Sequence, residues 1–467
     1  MLTLTGKHFK GRRNRHRKYA QTVYTSSVFK NFLFLSLLLF FIAGPAQALQ
    51  FSDIYVGGLE ACRANPHLSK EHSFRVSVPV DYSDFKKGFT TVYAWTHRAF
   101  DPSKKSLVFF TGGPGGVAHG IQLDLPQWNL IFFDTRGNSC SRPESMAHFH
   151  DPSFYSSEWV ARDVEALRKH LSIETLTVYG VSYGTVPAHL YGYFFPQTTR
   201  SVVLEGVVYE GGAALTEPAN RIKNLQIFFD SLSVDMQDSI LRLSSHPEVS
   251  PFWFSKVGML MLYLDNPFVA FESFLSSILA DEKLAISMLK NFEDSEPFDD
   301  AFGHGQMFMA MIGCKELGMT EDGPSFYSVF KGRQLNPSGH SHLKVHYCDS
   351  ITGYKVQNYQ ANRYPSKSKT FYVQGLLDGA TGYANAFHHL RYATEEGQLL
   401  LAKNGGHLPL HGGLNSGYEN KEVAKAKLKI LEKIFLGERI ENSDLAELEF
   451  VHPLNWHLVN KTAGNKD

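Results

Sequence analysis

Short apolar runs alternate with amphipathic helical patterns along much of this chain. SLVFF (106–110), NLIFF (129–133), LTVY (176–179) and SVVLEGVV (201–208) are continuous apolar or β-branched stretches. Such runs are the pattern of strands buried on both faces of a parallel sheet. Between the second and third, EWVARDVEALRKHL (158–171) places Val160, Val164, Leu167 and Leu171 on one helical face. Strand, helix and strand in this order predict a βαβ unit and an α/β fold. The texture changes between Tyr209 and Tyr364, where helical and loop patterns dominate. There NPFVAFESFLSSILADEKL (266–284) predicts a helix with Asn266 as N-cap, Pro267 at its first position, and a stripe of Phe271, Phe274, Leu275, Ile278 and Leu279. Strand patterns return in TFYVQG (370–375) and QLLLA (398–402). The expected organisation is an α/β core in two halves, 49–208 and 365–440, with a helical insert at 209–364. The pattern leaves the structure of the tail, 441–467, open.

The first 48 residues stand apart. A basic stretch, KGRRNRHRKYA (10–20), precedes an apolar run from Phe32 to Ala43, then Pro45 and the small-x-small triplet Ala46-Gln47-Ala48. That order predicts a cleaved secretory signal over 1–48, and hence export to the periplasm or medium. The run is shorter than the ~20 residues of a spanning helix, so an uncleaved membrane anchor is the alternative and no stable insertion is expected after cleavage. Formal net charge is zero over 467 residues, which argues against a nucleic-acid partner. Four cysteines in an exported chain can form two disulfides in three ways. Cys314 and Cys348 flank one local region and are expected to pair, leaving Cys62 for Cys140.

Acyl-transfer chemistry needs an activated hydroxyl, a base, a group to orient that base, and donors for the oxyanion. Gly180-Val181-Ser182-Tyr183-Gly184 has the nucleophile-elbow pattern between a predicted strand and a helix-compatible stretch; a glycine-rich bend is the bland alternative. TGGPGGVAHG (111–120) follows the strand SLVFF, where a hydrolase of this type carries an oxyanion loop. The expected donors are the N–H groups of Gly113 and Tyr183. A phosphate-binding loop would require the Gly-Lys-Ser/Thr ending that this stretch lacks. Downstream, Asp378 in VQGLLDGATG and His407 in LLLAKNGGHLPLH lie just after successive predicted strands, in the order acid then base. GHSHLKVH (339–346) and the pair His407 and His411 lack a glutamate base between two histidines, so no metal and no cofactor is expected.

Taken in order, VPVDY (78–82), TGGPGG, FFDTRGNSCSRP (132–143), VYGVSYGT, GLLDGAT and GGH resemble the proline iminopeptidase and tripeptidyl aminopeptidase group of α/β-hydrolases. Serine between valine and tyrosine is more similar to the tripeptidyl aminopeptidase-like branch, often exported. The resemblance implies an α/β-hydrolase fold, a mostly parallel doubly wound sheet, with the insert as a cap. It further implies a triad of Ser182, Asp378 and His407, an oxyanion hole in the glycine-proline loop, and a short peptide as substrate. Departures are Thr111 in place of histidine, Ser139 in place of glycine, and Gly382 in place of proline. Pro187, close behind Ser182, predicts a helix that starts late or kinks. An aminopeptidase also needs a carboxylate for the substrate's α-ammonium group. Glu205 and Glu210 are the nearby candidates, with a purely structural role as the alternative. Arg136 is expected to bond carboxylates or carbonyls beneath the site.

The function expected is an exported serine aminopeptidase, prolyl or tripeptidyl in type, working through an acyl-enzyme. The alternatives are an esterase or lipase with the same triad, and a non-catalytic binding protein of this fold. The sequence leaves the oligomeric state open.

Overall fold

The structure is a computed structural model that describes Cys62 and residues 72–116, 123–211, 218–290, 306–318, 327–338, Cys348, 353–393, 397–414 and 420–461. The predicted signal at 1–48, the end of the glycine-rich loop at 117–120 and the histidine stretch at 339–346 lie outside the described residues.

Among the described residues the central sheet runs β1 (Ser73–Pro79), β2 (Phe89–Thr96), β4 (Trp128–Phe133), β3 (Lys105–Phe110), β5 (Leu176–Val181), β6 (Thr199–Glu205), β9 (Thr370–Gly375), β10 (Gln398–Ala402) and β11 (Trp456–Asn460) in spatial order. The strands from β4 to β10 pair in parallel, while β1, β2 and β11 add antiparallel edges. Apolar runs form the parallel strands because each strand buries both faces. In β3, Val108 and Phe110 join one core layer while Leu107 and Phe109 join the other. β6 ends at Glu205 rather than at Val208, because Gly206 turns to φ 64°.

The first layer is built on α1 (Ser157–His170), α2 (Thr185–Phe194) and α9 (Ala384–Arg391). Val160, Val164 and Leu167 of α1 face the sheet, and Ser156 caps its start through the N–H of Glu158. Pro187 neither delays nor displaces α2. The helix begins at Thr185, and the proline occupies its first turn, where the missing N–H has no intrahelical acceptor to lose. The opposite layer holds α10 (Lys421–Phe435) and α11 (Asn442–Val451). The segment after Glu441 is thus integral to this core, with Leu445, Leu448, Leu454 and Trp456 buried in it and β11 closing the sheet.

Between β6 and β9 lie α3 (Pro218–Ser231), α4 (Val234–Ser244), α5 (Trp253–Met261), α6 (Pro267–Ile278), α7 (Glu282–Lys290), α8 (Gln306–Lys315) and the hairpin β7 (Ser328–Lys331) and β8 (Gln334–Pro337). Helices α3 to α7 enclose a separate core around Phe228, Trp253, Phe254, Phe271 and Leu275. Asn266 and Pro267 open α6, and Phe271, Phe274, Leu275 and Ile278 are its buried stripe. Helix α8 differs from its neighbours: Phe308, Met311 and Ile312 pack into the first layer of the sheet. No helix among the described residues is long and apolar enough to cross a membrane.

Candidate active site

β3 has β4 on one side and β5 on the other, so the connections leaving β3 and β5 diverge at a switch point in the sheet. Ser182 follows directly on β5, and Thr111 follows on β3. Ser182 holds φ 54°, a left-handed conformation that costs a non-glycine residue about 1–2 kcal/mol. The flanking glycines make this turn possible by close approach. A Cβ on Gly180 would lie 2.2 Å from the Gly184 carbonyl oxygen, and one on Gly184 would lie 2.2 Å from that of Phe110. The loop after β3 lies against the turn, since a Cβ on Gly112 would come within 3.0 Å of Ser182 Cβ. Gly112, the residue before Gly113, thus lies against Ser182, and Tyr183 follows Ser182 in the same turn.

Asp378 lies in the turn after β9, buried and surrounded by donors. It accepts from Ala380 N at 2.7 Å, Thr381 N at 2.8 Å, Thr381 Oγ1 at 2.8 Å and Gln374 Nε2 at 2.7 Å. His407 Nδ1 is 2.8 Å from its Oδ2. Burial alone would raise this carboxyl, but His407 and the surrounding donors outweigh it and hold it below the ordinary range. An ionised carboxylate only accepts, so Nδ1 is the donor in this hydrogen bond. Nε2 is buried and has no hydrogen-bond partner among the described residues.

The imidazole lies beside the next strand end. Val181 pairs with Glu205, so Ser182 and Gly206 lead off neighbouring strands at the same level. A Cβ on Gly206 would meet His407 Cε1 at 2.7 Å. The insert closes the other side: His407 N donates to Leu262 O at 3.0 Å, Gly406 N to Asp265 O at 3.2 Å, and the Tyr263 ring meets the imidazole edge-on at 5.2 Å.

Glu205 has the structural role. It is fully buried, and it accepts the Tyr179 hydroxyl as well as Leu410 N at 2.7 Å and His411 N at 2.9 Å. A carboxylate committed to the histidine loop in this way does not face a ligand, which corrects its candidacy as an α-ammonium site. Burial raises its carboxyl above the ordinary value despite these donors. Glu210 is half-buried and pairs through its backbone with Gln360. Arg136 is fully buried. It forms a bidentate pair with Asp163 at 2.9 and 2.6 Å and donates to the carbonyls of Val80 and Phe154. The structure joins Cys62 to Cys140 and Cys314 to Cys348.

Sequence reasoning did not single out Glu316. Its carboxylate accepts Ser157 N at 3.1 Å and the Ser157 hydroxyl, and that hydroxyl lies 2.8 Å from the hydroxyl of Tyr183. Burial raises this carboxyl, against the opposing effect of Ser157. The residue beside Ser182 is thereby anchored to α8. Nothing in the local pattern GCKELG separates such a glutamate from an exposed one at a helix end.

These elements define an α/β-hydrolase fold. Residues 105–307 match the family described as alpha/beta hydrolase fold. The chain resembles the proline iminopeptidase group. It is 32% identical over 111 residues to a protein named "Probable proline iminopeptidase" from Leptolyngbya boryana, covering 23% of this chain and 33% of that one. It is 26% identical over 174 residues to the proline iminopeptidase of Arabidopsis thaliana, covering 34% and 44%. It is 26% identical over 210 residues to the serine protease Hip1 of Mycobacterium bovis, covering 34% and 40%. The matches thus span a third to under half of each of these relatives' lengths.

Proposed function

We propose that this chain is a serine hydrolase of peptidase type, an aminopeptidase releasing N-terminal residues from short peptides through an acyl-enzyme. In this reading Ser182 is the nucleophile. His407 Nε2 takes its proton during attack on the scissile carbonyl and then delivers it to the leaving amine. Asp378 holds the imidazole tautomer and stabilises its cation. The amides of Gly113 and Tyr183 receive the oxyanion. Water then attacks the acyl-enzyme by the same proton route in reverse.

The observation that supports this reading is the buried Asp378–His407 pair, whose imidazole lies against Gly206 at the end of the strand that neighbours the Ser182 strand. Peptidase-named relatives favour a peptide over a simple ester, and the paired cysteines suit an oxidising compartment, hence export.

The test has two parts. A fluorophosphonate probe should label the purified protein, and Ser182→Ala should abolish labelling. A panel of free and N-blocked aminoacyl, dipeptidyl and tripeptidyl chromogenic amides, run beside acyl esters, then fixes the class. Turnover that requires a free α-amine supports the aminopeptidase. Efficient ester cleavage without amide turnover makes the protein an esterase, and absence of labelling makes it a binding module.

A further inference from the structure

The histidine loop takes backbone acceptors from the insert, and one side chain of the insert is in turn gripped from the far side of the molecule. Asp265 follows α5, and its main-chain carbonyl receives Gly406 N. Its carboxylate is 3.2 Å from Lys427 Nζ through Oδ2, with His452 Nε2 3.5 Å from the same oxygen. Its Oδ1 accepts Asn266 N at 2.8 Å. Lys427 belongs to α10, and its side chain is 0% exposed. The same ammonium donates to Gly412 O at 2.7 Å, and Gly412 N donates back to Leu408 O at 2.7 Å. A Cβ on Gly412 would lie 3.3 Å from Asp265 Cβ, so the two loops are in direct contact.

A buried ammonium is costly to leave without a counter-charge, and removing one partner of such a pair is strongly destabilising. Its siting therefore says where the fold tolerates that expense. Here it joins three segments far apart in sequence: the insert at Asp265, the histidine loop at Gly412, and the C-terminal helices at Lys427 and His452. The main-chain bonds from Leu262 and Asp265 reach the histidine itself and the residue before it. A shift of the 262–265 segment would carry the imidazole with it.

We propose that Asp265 is a positioning residue: paired with Lys427, it locks the insert to the histidine loop and so sets the place of the His407 imidazole. The inference rests on the reading of Ser182, Asp378 and His407 as a catalytic triad. Neither residue touches the reacting atoms. They act through the backbone of Gly406, His407 and Gly412, so their loss should slow chemistry while leaving ligand affinity largely intact.

The test is the rate of fluorophosphonate labelling at Ser182 as a function of probe concentration, which separates the maximal rate from the concentration giving half of it. Full-length Asp265→Asn and Lys427→Met should lose about 10- to 100-fold in maximal rate, the effect of an imidazole displaced on the ångström scale. The half-saturating concentration should stay within about two-fold of wild type, as expected when only the chemical step is affected. Lys427→Arg, which keeps the charge, should recover most of the rate. If the neutral variants do not fold, Asp265→Glu and Lys427→Arg lengthen the bridge without removing charge, and Asp265→Glu should still show a reduced maximal rate. Folded variants that all label at the wild-type rate overturn the positioning role. So does a loss that Lys427→Arg fails to restore, or one carried by the half-saturating concentration. Wild-type protein that is not labelled at Ser182 removes the triad reading itself, a different result from variants that match a labelled wild type.

Discussion

Glu205, at the end of β6, accepts the backbone N–H of Leu410 at 2.7 Å, three residues beyond His407. The bond ties the loop that carries the imidazole to the strand beside the one that carries Ser182, and His411 N repeats it at 2.9 Å. Truncation of Glu205 would strand two buried N–H groups, each costing about 1–3 kcal/mol. Glu205→Ala should therefore lower the unfolding free energy by about 2–6 kcal/mol and depress turnover of every substrate alike. Denaturant melts and a substrate panel check this. A rise in KM confined to free-amine substrates, with stability unchanged, would instead return Glu205 to the role of ammonium ligand.

Gly206 leaves no room beside the imidazole. A methyl group there would overlap His407 Cε1 at 2.7 Å and would also be strained at φ 64°. Gly206→Ala should cut kcat by about 10- to 100-fold through displacement of the His407 imidazole. It should also destabilise by about 1–2 kcal/mol through the backbone alone. Labelling kinetics and thermal melts measure the two effects separately.

His411 lies near-parallel to Phe109 at 5.1 Å and edge-on to Tyr179 at 5.9 Å. Burial, with the Lys427 charge adding, pushes it down to about 3. In the unfolded chain the same group titrates near ~6.5. The folded state thus binds fewer protons below about pH 6.5, so this histidine's contribution is intact above that pH and is lost as pH falls toward about 3. His411→Phe removes the loss. The stability of the variant minus that of wild type should rise on acidification below pH ~6.5, by up to about 1.4 kcal/mol per pH unit. Paired denaturant melts at several pH values read this difference directly, and a difference that stays flat or falls contradicts a buried neutral imidazole.

Arg136 and Asp163 form a buried bidentate pair, both essentially without solvent exposure. Breaking such a pair from one side costs about 3–5 kcal/mol, whereas replacing both partners by apolar groups can be nearly neutral. Arg136→Met should destabilise by that amount, and Arg136→Met with Asp163→Leu should recover a substantial part. The carbonyls of Val80 and Phe154, which also lose their donor, set the limit of that recovery. A double-mutant cycle in urea tests the coupling.

The parallel strands were legible because burial on both faces removes polar alternation and leaves continuous apolar runs such as Lys105–Phe110 and Trp128–Phe133. The elbow was legible for a local reason: backbone carbonyls pack so close to Gly180 and Gly184 that only glycine fits. Asp378 and His407 were readable as loop residues following strands, and the structure brings them to 2.8 Å. The first two strands and β11 lack that continuous apolar run: polar positions interrupt them, as Arg75 and Ser77 do in Ser73–Pro79, because one face is only partly buried. Helix α8 was taken with its sequence neighbours, although its apolar side chains belong to the core layer beneath the sheet.

Local pattern by itself determined the parallel core and the order of the loops that carry Ser182, Asp378 and His407. These properties depend on burial periodicity and steric fit within a few positions of the chain. Only the folded molecule decided that Glu205 serves the histidine loop rather than a ligand, that Glu316 anchors the Tyr183 side chain, and that Lys427 is buried against Asp265. A charged side chain looks the same in sequence whether water or a distant backbone amide satisfies it. Its partner is chosen by contacts between segments that can lie more than two hundred positions apart, such as the 205-residue separation between Glu205 and Leu410, and no local pattern encodes them.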